Sequence, residues 1–326
     1  MELRHPAPFG ARWRARWIWD RSPALRLDTA TRMVLDDPTD HVALLRREVE
    51  IESVPAFAPA RIWTDGRYVL RVNGTEVARG PVRSDPRAAH YDVVDLAPHL
   101  VEGSNVIAIV ARHFGVATSW WMPAPPTYSM GAGSLVFEAL IDGEWTVTDR
   151  DWRTAPESPW TPVEIPGDVA CLPLEAFDAR RYPSGWDLPG FDASGWPRAR
   201  EITPFSTGGH GDPHPPSEPF GMLRPPVRVV FPEGAVQRAE LIDVIEVEGA
   251  PLAEDPVRQV LADEASHLAS VGTGESRSPV LLHRFDLGRI AAGTVRLSIR
   301  GAADGTIIDL AAAEHLDDQG MLVTLG

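Results

Sequence analysis

Carboxylates, imidazoles and indoles are the side chains in this sequence whose placement invites a chemical reading. Hydrolysis of a glycosidic bond uses two carboxyl groups on either side of the sugar, one a proton donor and the other a base or nucleophile, about 5–9.5 Å apart. The adjacent pairs Asp36-Asp37 and Asp317-Asp318 do not supply that arrangement. Neighbours along a strand point to opposite faces, and both pairs sit in turn-like sequence where solvated acids are expected. His210 and His214 are four residues apart, a spacing that serves a metal when both lie on one helix face. Asp212-Pro213 and the surrounding glycines exclude a helix there, so the expectation is two loop histidines. No HExxH, P-loop or GxSxG pattern occurs, and Gly272-Thr273-Gly274 lacks the third glycine and the preceding strand of a dinucleotide-binding turn. No catalytic residue, metal or cofactor is expected.

The aromatic residues are more informative. A flat ring against the C–H face of a pyranose, with polar neighbours fixing the hydroxyls, is the chemistry of sugar recognition. Trp120 and Trp121 lie in HFGVATSWWMPAPP, with His113 close by in sequence, and these three are the candidate carbohydrate-binding residues. The competing reading is that one of the two tryptophans caps a core or packs against a neighbouring domain. Trp13, Trp17, Trp19, Trp152, Trp186 and Trp196 are expected to fill gaps between strands or domains.

The elements that would position these residues are short strands. The 27 Gly and 31 Pro are spread along the chain and leave almost no segment of helical period, which is an all-β signature. Residues 67–77 read as a hairpin, with Tyr68, Leu70 and Val72 alternating against Val69 and Arg71 before the turn Asn73-Gly74. A second hairpin is expected over residues 134–148 around Asp142-Gly143. Residues 105–111 have no polar face and read as a strand buried on both sides. From residue 203 to 226 proline and glycine deny both helix and ladder, so a linker is placed there. Residues 1–202 then form one domain and 227–326 another. Within the latter, strands are expected at 227–231, 240–248, 295–300 and 307–311, and one helix-like stretch at 256–270.

Composition narrows the function classes. The formal charge is -15, with arginine as the strong base and no lysine, which disfavours nucleic acid and anionic membranes as partners. Cys171 is the single cysteine, so neither a disulfide within the chain nor a cysteine-based zinc cluster can form. The amino-terminal residues lack the apolar run of a signal peptide, and no later stretch approaches the roughly 20 apolar residues of a membrane helix; a cytoplasmic protein is expected.

Several stretches resemble the N-terminal accessory domains of one family, the bacterial α-L-rhamnosidases of glycoside hydrolase family 78. They are WIWD, ARIWTDGRYVLRVNGTEVARGPVRSD, DLAPHLVEGSNVIAIV, TDRDWRTA and GFDASGWPRA, followed by HRFDLGRIAAGTVRLSIRGAADGTIIDLAAAEHLDDQGML. The resemblance implies two jelly-roll or galactose-binding-like β-sandwiches, the second incomplete. In that family an (α/α)6 barrel carries the general acid and base, and no residue here matches them. The resemblance therefore implies a non-catalytic region that serves such a barrel, in cis or on another chain, with a rhamnose-containing glycan as a further partner, and no hydrolysis by this chain alone. The alternative is a free-standing carbohydrate-binding or interaction protein that has lost the barrel. A third reading, an enzyme with its own site, requires two carboxylates facing each other across a cleft.

Overall fold

The computed structural model describes residues 8–20, 25–27, 33–35, 40–82, 84, 89–114, 133–161, 175–202, 214, 223–226, 238–247, 280–288, 295–303, 306, 308 and 310. The chain divides into two compact units, Met1–Val229 and Val230–Gly326.

The first unit is built from antiparallel strands. They begin with β1 (Ile18–Trp19), β2 (Leu25–Leu27), β3 (Met33–Leu35), β4 (His41–Ile51), β5 (Pro59–Thr64), β6 (Arg67–Val72), β7 (Thr75–Gly80) and β8 (Asp92–Asp95). They continue with β9 (Gly103–His113), β10 (Leu135–Ile141), β11 (Glu144–Val147), β12 (Arg153–Thr154), β13 (Trp160–Thr161), β14 (Ala176–Phe177) and β15 (Arg200–Glu201). One sheet has the order β15-β1-β10-β5-β8, with β11 also paired to β10, and the other has the order β12-β4-β9-β6-β7. Among the described residues the single helical element is a 3-10 turn, Ala97–His99, and no helix is long and apolar enough to cross a membrane.

The two sheets face each other as a β-sandwich. Ile62 and Phe137 from one sheet share a buried core with Leu45, Leu70 and Ile109 from the other. Trp17 and Trp63 meet edge to face at 5.7 Å inside it, as do Phe137 and Trp152, so Trp17 and Trp152 fill gaps between strands as expected. The alternation read from the sequence in β6 is the alternation of burial, with Tyr68, Leu70 and Val72 turned inward. Asn73 and Gly74 both take positive φ (50° and 78°), the condition for the tight turn that joins β6 to β7. Asp142 and Gly143 do the same between β10 and β11.

The all-apolar run in β9 is explained by a second layer. Ile107, Ile109 and Ala111 point into the main core, while Val106 and Ala108 join Leu44, Trp186, Ala193 and Trp196 in a smaller cluster on the outer side of the sheet. Turn-rich sequence around residues 178–197 forms that cover, held partly by the Trp186 Nε1–H donating to the Tyr182 hydroxyl at 2.7 Å. A strand covered on both sides has no use for a polar face.

Arg224 and Leu223, within the expected linker, are joined to this unit. Tyr91 N–H donates to the Arg224 carbonyl at 3.0 Å, Arg224 N–H donates to Ala89 at 2.8 Å, and the Leu223 side chain is buried in the main core.

In the second unit, β16 (Glu240–Val247) and β17 (Val280–Asp286) form an antiparallel pair with a bulge between Leu241 and Asp243. The strand expected at 295–300 is a correction: Val295, Leu297 and Ile299 lie in irregular backbone, 47–65% exposed. Their alternation satisfies one requirement of a strand but not the other, a neighbour for its backbone groups, which these residues do not have among the described residues. The turn that follows is present, with Gly301 at φ 75° and Thr306 N–H donating to Ala303 at 3.1 Å. The expected strand at 227–231 and helix at 256–270 lie outside the described residues, as does most of the strand expected at 307–311.

Candidate functional site

Of the three residues proposed for sugar contact, Trp120 and Trp121 lie outside the described residues. His113 ends β9 and is turned into the fold, with 1% of its surface exposed. Register explains its direction. His113 is the cross-strand partner of His41, and both rings meet Trp19 edge-on, at 6.4 and 6.2 Å. Each imidazole has a carboxylate beside it: His41 Nε2 contacts Asp20, and His113 Nε2 lies 3.5 Å from the buried Asp65. The His113 ring is therefore engaged by Trp19 and Asp65. His214 contacts the Ala15 carbonyl through Nδ1 at 3.2 Å, while His210 and the pairs Asp36-Asp37 and Asp317-Asp318 lie outside the described residues. Among the described residues no three His, Cys, Asp or Glu side chains group to hold a metal ion.

A fully buried ion pair escaped sequence reasoning. Arg61 of β5 and Glu138 of β10 face each other across the ladder, 1% and 0% exposed, with Arg61 Nη2 at 2.7 Å from Glu138 Oε1. Arg61 also donates to the carbonyls of Gly10 (2.8 Å) and Arg12 (3.0 Å), and the backbone N–H groups of Arg14 and Ala15 donate to Glu138 Oε2 at 2.6 and 3.1 Å. The guanidinium lies 3.9 Å from the Trp13 ring centroid and 5.3 Å from that of Tyr91. The contacts with Gly10, Arg12, Trp13, Arg14 and Ala15 hold the amino-terminal segment to the sheet. A signal was available: Arg61 is the one charged residue in β5, flanked by Ala60 and Ile62.

Among the described residues, one carboxyl is raised rather than lowered. Asp92 of β8 has its carboxyl pushed up to about 6 by burial, against the lowering effect of the Tyr68 hydroxyl, which donates to it at 2.6 Å. Burial and the Asp92 charge raise Tyr68 in turn. The contact joins β6 of one sheet to β8 of the other, and a Cβ on Gly80 would fall 2.1 Å from Asp92 Oδ2, so glycine is required where β7 passes over the pair.

An open depression of about 330 Å³ lies on the outer side of the β12-β4 edge. Its wall includes Arg46, Arg47 and Glu48 of β4, Asp151 and Arg153, and Phe191 and Asp192. Asp151 is held below the usual carboxylate range by the Arg198 hydrogen bond, and Asp192 by the hydroxyl and N–H of Ser194. Burial lowers the Arg46 guanidinium, against Glu48 and Asp187. Asp151 and Asp192 remain ionised at neutral pH, so neither is placed to deliver a proton to a leaving group. The arrangement has hydrogen-bonding groups and one aromatic ring, which suits binding more than bond cleavage.

Residues 55–229 match the family described as the α-L-rhamnosidase N-terminal domain. An α-L-rhamnosidase of Streptomyces avermitilis is 26% identical over 228 residues, which cover 69% of this chain and 18% of that protein. The crystal structure of a family 78 rhamnosidase from Bacillus sp. GL1 is similar with a TM-score of 0.49 at 30% identity, over 66% of this chain and 20% of that one. The α-L-rhamnosidase of Dictyoglomus thermophilum gives 0.47 at 21% identity, over 72% and 24%. The chain thus spans about a fifth of the length of these relatives. The family match extends over more than half of the chain, from the end of the first long strand through the outer tryptophan layer to Val229, and the chain belongs to the α-L-rhamnosidase N-terminal domain family.

Proposed function

We propose that this chain is a non-catalytic accessory region of an α-L-rhamnosidase-like glycoside hydrolase, one that braces a catalytic (α/α)6 barrel in cis or on another chain. The observation that carries the reading is the family match over residues 55–229. The chemistry of the described residues supports it. Glu138 is consumed by Arg61, Asp151 and Asp192 are held ionised, and the raised carboxyl of Asp92 is paired with a buried tyrosine away from the depression. A glycosidase needs one carboxyl poised as an acid and a second facing it across the sugar. In this reading residues 1–202 and 227–326 are two sandwich domains, and the apolar side chains of the second are where a barrel packs. A rhamnose-containing glycan is the substrate class of the whole assembly.

The test is hydrolysis of an aryl α-L-rhamnoside by the purified chain. No turnover above background is expected. Turnover that follows the protein through purification and disappears in Asp92→Asn overturns the accessory reading and makes Asp92 the acid.

A further inference from the structure

We propose that the depression walled by Arg46, Arg47, Glu48, Asp151, Phe191 and Asp192 is a subsite for one neutral sugar unit of a glycan; the proposal rests on the accessory reading above and gives it a ligand. Three observations lead to it. The volume, about 330 Å³, stands at the lower end of the roughly 300–1,000 Å³ of small-molecule sites, which suits a single sugar ring rather than an extended chain.

The charges select the ligand. Arg46, Arg47 and Arg153 are matched by Glu48, Asp151 and Asp192, so the wall has no net sign. A phosphate or uronate meets three carboxylates there, and a cation meets three guanidinium groups. A polyhydroxylated neutral ring uses both, donating to carboxylates and accepting from guanidinium N–H groups, while Phe191 offers an apolar face.

The third observation is an unmet donor. Arg46 is 3% exposed, and its Nη atoms are occupied by the carbonyls of Phe191 (3.0 Å) and Leu188 (3.4 Å), but its Nε–H is buried with no acceptor. A buried donor without a partner is costly, and here it belongs to a residue that lines an open polar depression. Phe191 lies against the same guanidinium, with the ring centroid 5.5 Å from Arg46 Cζ, so the aromatic face and the donor are held together.

Ligand-observed saturation-transfer NMR on the full chain, with L-rhamnose, D-galactose and D-glucose as neutral probes and D-glucuronate as the charged control, tests the proposal. At least one neutral sugar is expected to bind with millimolar affinity and glucuronate to fail. Asp192→Asn preserves the turn that caps Ser194, and Arg47→Met replaces a partly exposed side chain, so both are expected to keep the far-UV spectrum and melting temperature. Each should weaken binding about tenfold, the loss of one charge-assisted hydrogen bond. Absence of binding by all three neutral sugars into tens of millimolar overturns the proposal, as does binding that neither variant weakens or that favours glucuronate. Those results leave the hydrolysis test untouched, so failure of the subsite and failure of the accessory role are separable.

Discussion

Glu138 illustrates how much of this unit rests on single side chains. Its two carboxylate oxygens receive Arg61 on one side and the N–H groups of Arg14 and Ala15 on the other, all in a fully enclosed position. Removing the acid strands a guanidinium away from water, and the penalty for half of a buried pair is about 3–5 kcal/mol. Glu138→Ala is therefore expected to lower unfolding stability by about that amount in a denaturant titration. The double variant Arg61→Met/Glu138→Leu should recover part of the loss, because it leaves no charge buried but removes the partners of the Gly10 and Arg12 carbonyls and of the Arg14 and Ala15 N–H groups. A single variant within about 1 kcal/mol of the parent contradicts the role assigned to the pair. The sequence hid this pair because its members are 77 residues apart and an arginine in a strand ordinarily reads as facing solvent. Likewise, the spacing of His113 from Trp120 said that they are near in chain but not which way the imidazole turns; pairing with His41 beside Trp19 decided that.

At the scale of elements, β6 and β8 are connected across the sandwich by the Tyr68 hydroxyl and the Asp92 carboxyl. Because the folded carboxyl is raised from the ordinary 3.8 to about 6, the folded chain keeps a proton that the unfolded chain has already lost between those values. The stabilising contribution is fully present below the ordinary value and is lost as pH rises through about 6, by at most about 3 kcal/mol. Thermal melts from pH 4 to pH 7 should show this decline, and Asp92→Asn should flatten it. A parent profile that rises across the window contradicts burial as the dominant influence on Asp92. The hairpins that frame this contact were legible locally, since Asn-Gly and Asp-Gly favour positive φ and alternation fixes the inward face. The inter-sheet contact was not, because Tyr68 and Asp92 meet only once the sheets have stacked.

For the whole molecule, the second unit carries the sharpest physical consequence. Leu241 and Phe285 stand directly opposite each other in the β16-β17 pair, 48% and 53% exposed, and Val244, opposite His283, is 48% exposed. Two strands with apolar side chains in water are marginal on their own and tend to gather further strands. Static light scattering at micromolar concentration is expected to give a mass above the 35.6 kDa of one chain, reduced by Leu241→Thr/Phe285→Thr. A clean monomer of the parent counts against this. By itself the sequence determined the all-β class, the two hairpins with their inward faces, the doubly buried strand β9 and the resemblance to a family, because each follows from local periodicity, turn chemistry or ordered motifs along the chain. Only tertiary structure decided that Arg61 and Glu138 are a buried pair, that residues around 178–197 form the outer layer beside the depression, and that the alternating run at 295–300 is not a strand. Each of those depends on what lies across from a residue, and a partner across a sheet is fixed by register and stacking, which no local pattern contains.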